Sequence, residues 1–408
     1  MSFRISLSGL NAANSDLSVT ANNIANVNTT GFKQSRAEFG DLYPISYFGV
    51  ASNAIGAGVR LQRVAQQFVQ GSINFTNNSL DLAITGNGFF TLSDNGTIVY
   101  TRAGAFGTDR QGYVVNATGQ RLQVFPPVNN GASFDTARLT DLQISTADNP
   151  PQATSTIQTV LNLPANATPP TTAPFNSADP TSYNHTTSLT VFDSLGAAHT
   201  ASLYYVKTAN PNEWTLHAEI DGTAVTPVAG ETITFTNTGT LATPPSGQIA
   251  LSAFTPTNGA ANITINLDLL QTTQYGASFG VASLIQDGYT TGRLTGLEIT
   301  AEGVVQARYT NGQATPLGQI ALSTFPNPQG LQQLGDTAWG DSFAAGQVIR
   351  GAAGSTNFGQ IQSGALEGSN VDLTEQLVNM ITAQRNFQAN AQMISTADQV
   401  TQTIINIR

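Results

Sequence analysis

The chain has no cysteine in its 408 residues. That excludes disulfides, thiolate nucleophiles and Cys-ligated zinc, and it is compatible with a setting outside the cell. Charge is almost as scarce. Asp, Glu, Lys and Arg make up 10% of the residues, against about 25% in typical soluble domains. Asn, Gln, Ser, Thr and Gly fill the surface instead, so subunits packed side by side have few ions to desolvate. Lys and Arg number 15 against 25 Asp and Glu, a net charge of −10 with an isoelectric point near 4.6. Nucleic acid is therefore not an expected partner, because binding it needs clustered Lys and Arg. No apolar run approaches bilayer-spanning length, so no membrane insertion is expected. Residues 1–17 lack the continuous apolar stretch of a cleavable signal peptide, and export is expected to use a route that needs none.

Catalytic constellations are missing too. The three histidines, His185, His199 and His217, have no helical metal-ligand spacing and are expected at the surface. Ser194 beside Asp193 lacks the glycines of a nucleophile elbow. Glu213 and Glu219 share a strand face, but no aromatic sugar platform clusters with them. Gly86 and Gly88 precede a strand-like aromatic run instead of a helix, so a phosphate loop is excluded. No catalytic, cofactor-binding or metal-binding residue is assigned, and the chain is not expected to be an enzyme.

What the sequence does have lies at its two ends. Leu373, Met380, Phe387 and Ile394 recur every seven residues, with Leu377, Ala391 and Ile405 on companion positions. A second apolar row follows at Met393, Ala397, Val400, Ile404 and Ile407. Neither Gly nor Pro interrupts 372–408, and Asp372 with Glu375 three residues on starts the stretch like a capping box. A helix of that length spans about 55 Å, beyond the ~30 Å of a small domain, so part of it needs a partner outside its own globule. Phe3, Leu10, Leu17 and Ile24 repeat the spacing at the other end, with Leu7 and Ala21 beside them. Two matched seams predict a coiled-coil-like pairing and subunit assembly through these residues. Asn, Ser and Thr crowd the N-terminal helix, and such weak formers order fully only when a partner arrives.

Between the ends the chain reads as β. From Gly71, alternating and aromatic runs are separated by turns at 94–96, 110–112 and 118–119. Near Asp148 prolines cluster and acidity rises: residues 146–281 hold one cation, Lys207, against eight anions, a net charge of −7. The first style returns near Ser283. The expected fold is mainly β with long α-helical termini, in a nested multi-domain plan. Residues 1–28 and 370–408 form paired terminal helices, and 29–70 an extended connecting segment. Residues 71–145 and 282–369 form a split β-domain, and 146–281 an inserted acidic all-β sandwich or barrel.

Residues 21–33, Ala-Asn-Asn-Ile-Ala-Asn-Val-Asn-Thr-Thr-Gly-Phe-Lys, resemble the N-terminal signature of the axial rod and hook family of the bacterial flagellum. Residues 369–408 resemble that family's other end, and 80–90 and parts of 286–322 its inner globular domain. The resemblance implies a structural subunit of the hook, a flexible curved tube that couples rod to filament and transmits torque. It implies self-polymerisation with the terminal helices innermost and the inserted module outermost. Implied partners are the rod, hook cap and hook–filament junction proteins and the flagellar type III export apparatus. The implied location is the hook or basal body, outside the cell. A distal rod protein and a secreted adhesin are the alternative readings, and the size of the 146–281 insertion favours the hook.

Overall fold

The computed structural model describes residues 2–43, 56–145, 147–227 and 230–406, the side chains of Ser2, Asn130 and Ile404 apart. The chain divides into two compact units. Unit 1 comprises 1–146, 296–308 and 314–408, and unit 2 comprises 147–295 and 309–313.

Unit 1 begins and ends in helix. Helix α1 is Ser2–Ala25 and helix α2 is Leu373–Asn406. Asp372 starts α2 because its Oδ1 accepts from the Thr374 and Glu375 amides at 2.8 and 3.1 Å, which satisfies two of the helix's orphan donors. The 29–70 region was expected to be merely extended. Instead strand β1 (Ser35–Leu42) and strand β2 (Gly58–Gln66) form an antiparallel hairpin packed on α1. Its alternation was hidden because the hairpin is half-exposed on both faces.

The β-domain of unit 1 is stitched from both halves of the sequence. Its main sheet runs Ala314–Thr324, Arg121–Phe125, Phe89–Asp94, Thr97–Thr101, Ala338–Gly340, Gln332–Gly335. Ser323 pairs with Phe89 and Ala338 with Thr101, so neither half closes the sheet alone. Alternating inward residues build the core: Phe90, Leu92, Tyr100, Leu122, Val124, Phe125, Ile320 and Leu322 are all buried. Phe68, Phe89, Tyr100, Phe325 and Trp339 add edge-to-face ring contacts at one end, a geometry that matches ring quadrupoles.

Unit 2 is a two-sheet sandwich. One sheet runs His185–Phe192, Ala198–Lys207, Glu213–Ile220, Glu231–Phe235, Leu241–Thr243. The other centres on Thr156–Pro164, which pairs in parallel with Asn266–Asp268 and Thr273–Tyr275 and antiparallel with Gly280–Gln286. One apolar cluster, including Leu161, Leu203, Trp214, Leu216, Ile233 and Leu267, fills the space between them. The expected end of this module at 281 therefore moves. Residues 282–295 stay in unit 2 because Gly280–Gln286 is a partner strand and Tyr289 and Gly292 bridge to Gln152 and Asn149.

The histidines of unit 2 are not the surface residues expected. His217 is buried and stacks on Phe175 at 4.0 Å, and His185 stacks on Phe279. His199 lies between two carboxylates, with Nδ1 2.6 Å from Asp221 and Nε2 3.4 Å from Asp193. Burial opposes its protonation, but the Asp221 and Asp193 hydrogen bonds outweigh it and hold the imidazolium above the ordinary histidine range. A raised folded value means the stabilisation is complete below about pH 6.5, the unfolded value, and fades as pH rises through the folded one. Burial pushes His185 and His217 the other way, so whole-protein pH profiles mix opposing signs. His199→Gln isolates the contribution of this one ring. The melting temperature it loses relative to the parent, read by calorimetry, should be larger at pH 6 than at pH 9. An equal loss at both would show that His199 titrates as it does in the unfolded chain.

Candidate assembly site: the paired terminal helices and the clasp beneath them

Helices α1 and α2 pack together antiparallel. Phe3 shares a cavity with Met393, Ala397 and Val400 at one end, and the Asn23 Nδ2 donates to Gln376 Oε1 at 3.0 Å near the other. The deepest positions are small or polar. Ser6, Ala13 and Thr20 are buried on α1 at a spacing of seven, and Gln376 and Ala383 on α2 at the same spacing. Ala13 is 5% exposed and Ala383 0%. Asn390, one further repeat on, faces Gly9 so closely that a Cβ there would lie 2.5 Å from its Oδ1. Small side chains let the helix axes approach but bury little apolar surface.

The predicted large residues flank this seam, three positions before each small one. Leu10, Leu17, Ile24, Met380, Phe387 and Ile394 are half-buried. Phe3, Leu7, Leu373, Leu377 and Val400 are exposed, as are Val378, Ile381, Met393 and Ile405. The side chain of Ile404 and the whole of Ile407 lie outside the described residues. Sequence spacing located the two helices but assigned the deep seam to the wrong row. Hydrophobicity marks the row with most to gain from burial, whereas the closest approach selects for size. Single exposed leucines are ordinary, but here exposed apolar side chains run along two adjacent helices.

Beneath the helices lies a buried ionic clasp that sequence reasoning missed. Glu367 is fully buried and receives Lys33 Nζ on Oε1 at 2.5 Å and Arg102 Nη1 on Oε2 at 3.1 Å. The Gly71 amide adds a third bond to Oε1 at 2.9 Å. Two further bonds go to carbonyl oxygens, Lys33 Nζ to Val69 O at 2.8 Å and Arg102 Nη2 to Gly86 O at 2.7 Å, while Arg102 Nε is buried without a partner. Burial draws both cations below their ordinary values, and Glu367 opposes that shift.

The Asn-rich signature supplies the rest of the clasp. Asn23 bonds the Ser35 backbone both ways, with Nδ2 to the carbonyl and Oδ1 from the amide, each at 2.8 Å. Asn370 accepts from the Gln34 amide at 2.7 Å and donates to Gln67 O at 2.7 Å. Gly31 turns the chain at φ +70°, and a Cβ there would lie 2.4 Å from Ala103 N. Its amide bonds Glu367 O at 2.8 Å. One signal could have found this site: Lys33 is a lone cation inside an uncharged motif, and Glu367 a lone anion just before the matching one.

Among the described residues no group of three or more His, Asp or Glu side chains could hold a metal ion, and no helix is long and apolar enough to cross a membrane.

A split β-domain, a sandwich module and two terminal helices that meet define a multi-domain structural subunit. Four family models match successive parts of the chain. They are Flagella basal body rod protein over 3–33, Flagellar hook protein FlgE/F/G D1 domain over 83–168, Flagellar basal body protein FlaE D2 domain over 162–289, and Flagellar basal body rod FlgEFG protein C-terminal over 362–407. The flagellar hook protein FlgE of Salmonella typhimurium is 38% identical over 414 residues, covering 100% of both chains. That of Escherichia coli K12 is 38% identical with the same coverage, and that of Borreliella burgdorferi 34% identical with 98% of each chain covered. The crystal structure of Helicobacter pylori flagellar hook protein FlgE2 shares the fold at a TM-score of 0.56 and 15% identity, over 72% of this chain and 100% of that one. The chain belongs to the flagellar hook protein family and is a structural subunit of the hook, not an enzyme. Membership carries self-polymerisation into the hook and association with the flagellar rod.

Breaking one partner of a buried ion cluster leaves uncompensated charge and costs about 3–5 kcal/mol. Glu367→Gln strands two buried cations. It should lower the unfolding transition of unit 1 by that amount while the transition of unit 2 stays in place, as read by calorimetry. An unchanged unit 1 transition would mean that water reaches the cluster.

Proposed function

We propose that the helix pair is the inner seam of a helical homopolymer. The observation that carries this reading is the mismatch within the pair: small and polar residues occupy the deepest positions of α1 and α2, and the large apolar rows beside them are left half-buried or exposed. Phe3, Leu7, Leu10, Leu17 and Ile24 of one helix and Leu373, Leu377, Met380, Phe387, Ile394 and Val400 of the other then meet neighbouring copies, and Ile404 and Ile407 are assigned with them on sequence spacing alone. An exposed large apolar side chain taken fully from water contributes about 1.5–3 kcal/mol and a half-buried one less, repeated in every subunit of the tube. The split β-domain forms the middle layer and unit 2 the outside. The low charge of the chain makes sliding contacts between outer layers inexpensive to desolvate.

The assembled tube is a flexible curved coupling that passes torque from rod to filament. Subunits leave the cell through the flagellar type III apparatus and add beneath a cap protein, and junction proteins follow at the far end. A helix held by a thin seam suits that route, because it unfolds at little cost for passage and refolds among copies. The distal rod and adhesin readings find less support, since the flagellar hook proteins of Salmonella typhimurium and Escherichia coli match over their whole length.

Leu377→Asp tests the seam. Leu377 is 46% exposed, so the charge should leave monomer melting unchanged and yet abolish hooks in a strain lacking the native gene. Phe387→Asp should abolish hooks as well, with only a small loss of monomer stability because the residue is half-buried. Normal hooks from both variants would remove these rows from the assembly surface.

A further inference from the structure

Charge is scarce on the helix pair, and what there is finds no partner inside the subunit. Among the described residues α1 carries Arg4 and Asp16, and α2 carries Glu375, Arg385 and Asp398. No ion pair joins any of them to another described residue. Asp16 and Glu375 share a cavity of about 230 Å³ where α1, α2 and β1 meet, and apart from Val19 and Ala37 its wall is polar. The one cation in that wall, Arg36, is already engaged by Glu38 at 3.1 Å. Gln34, also in the wall, has its Oε1 buried without a partner. Burial pushes the Asp16 carboxyl above its ordinary value. The cavity therefore presents two carboxylates and an amide oxygen that lack a donor.

The matching cation stands on the same pair and faces the other way. Arg385 follows the seam residue Gln376 by about two and a half turns, which places it on the face of α2 opposite the seam. It is exposed, and so are Ile381 and Val378, one and two turns back on that face, at 50% and 58%. Gly9 faces Asn390 and Asn23 bonds Gln376, a register that sets Arg385 within about one turn of Asp16 along the pair. Opposite charges thus lie at one height on different faces. Copies packed side by side bring them together, in a heterologous contact that propagates instead of closing a dimer.

We propose that Arg385 of one subunit enters the Asp16–Glu375 cavity of a neighbouring copy and fixes the register between adjacent helix pairs. The inference rests on the polymer reading above. A guanidinium suits the cavity because its fork of N–H donors can serve both carboxylates and the Gln34 oxygen, and such complementarity sets register more than affinity. Arg4, the other unpaired arginine of the pair, lies about three turns further from the cavity along the helices.

Reciprocal charge reversal in the full chain tests the pairing. In a strain lacking the native gene, Arg385→Glu should cut hooks per cell at least ten-fold, counted by electron microscopy. Monomer melting should not change, because the residue is exposed. Asp16→Lys should cut hooks likewise, and the double variant should restore at least half of the parent's number. Full hook numbers from Arg385→Glu, a double variant no better than the singles, or rescue of Asp16→Lys by Arg4→Glu would overturn the pairing. If Asp16→Lys lowers monomer melting, Asp16→Cys with Arg385→Cys decides in this otherwise cysteine-free chain. Oxidised with copper–phenanthroline in assembled hooks, that pair should link subunits into a ladder. Hooks without a ladder, or no hooks, reject the contact. Loss of hooks from Leu377→Asp but not from Arg385→Glu leaves the seam standing and removes only this pair. Failure of the parent chain to polymerise removes both.

Discussion

A single buried carboxylate fixes how this chain begins and ends. Glu367 stands just before α2, Lys33 just after α1, and Arg102 at the end of a central strand of the β-domain. Two cations and one anion out of water are costly, and the Val69 and Gly86 carbonyls and the Gly71 amide offset part of that cost, while Arg102 Nε stays without a partner. The cluster is better understood as a device for position than as a source of stability. An apolar trio could fill the same space, but it would not dictate where the last strand, the first turn and the central sheet must meet.

From that fixed point the two helices run outward as a thin pair. Across it Gly9 faces Asn390 and Asn23 bonds Gln376, and the other deeply buried helix positions, Ala13, Thr20 and Ala383, are small. Such a seam gives close approach and register, but modest apolar burial. The large side chains that supply most of the hydrophobic driving force lie beside it, many of them in water. A strong base and a weakly self-satisfied extension fit a subunit that completes its fold among neighbours. Unit 2 is different in kind: its sandwich closes its own core with Trp214, Leu216 and Leu267 and needs no such completion.

Much of this plan was legible in the residues. Unbroken seven-residue spacing and the Asp372 cap located α2, and turn residues separated the strands. The shift to acidity and proline near 148 marked a change of module. Four things were not legible, each for a physical reason. The hairpin of β1 and β2 is half-exposed on both faces, so it carries no clean alternation. The strand Gly280–Gln286 sits in an uncharged stretch, and only its pairing with Thr156–Pro164 shows which unit owns it. The clasp depends on residues hundreds of positions apart, and an isolated Lys or Glu reads as a surface charge until its partner is known. Likewise, hydropathy ranked Leu and Phe above Ala and Ser, while the approach of two helix axes selects the reverse.

The central claim is that the terminal helices are positioned by the clasp but stabilised by neighbouring copies. Hydrogen exchange read by mass spectrometry compares monomer and assembled hook directly, peptide by peptide. The account predicts that amides of 3–24 and 373–394 exchange at least a hundred-fold more slowly in the hook, while those of 156–164 and 214–220 in the sandwich core hardly change. Equal, strong protection of both helices in the free monomer would contradict it, because the pair would then be a self-sufficient core and not an unfinished seam.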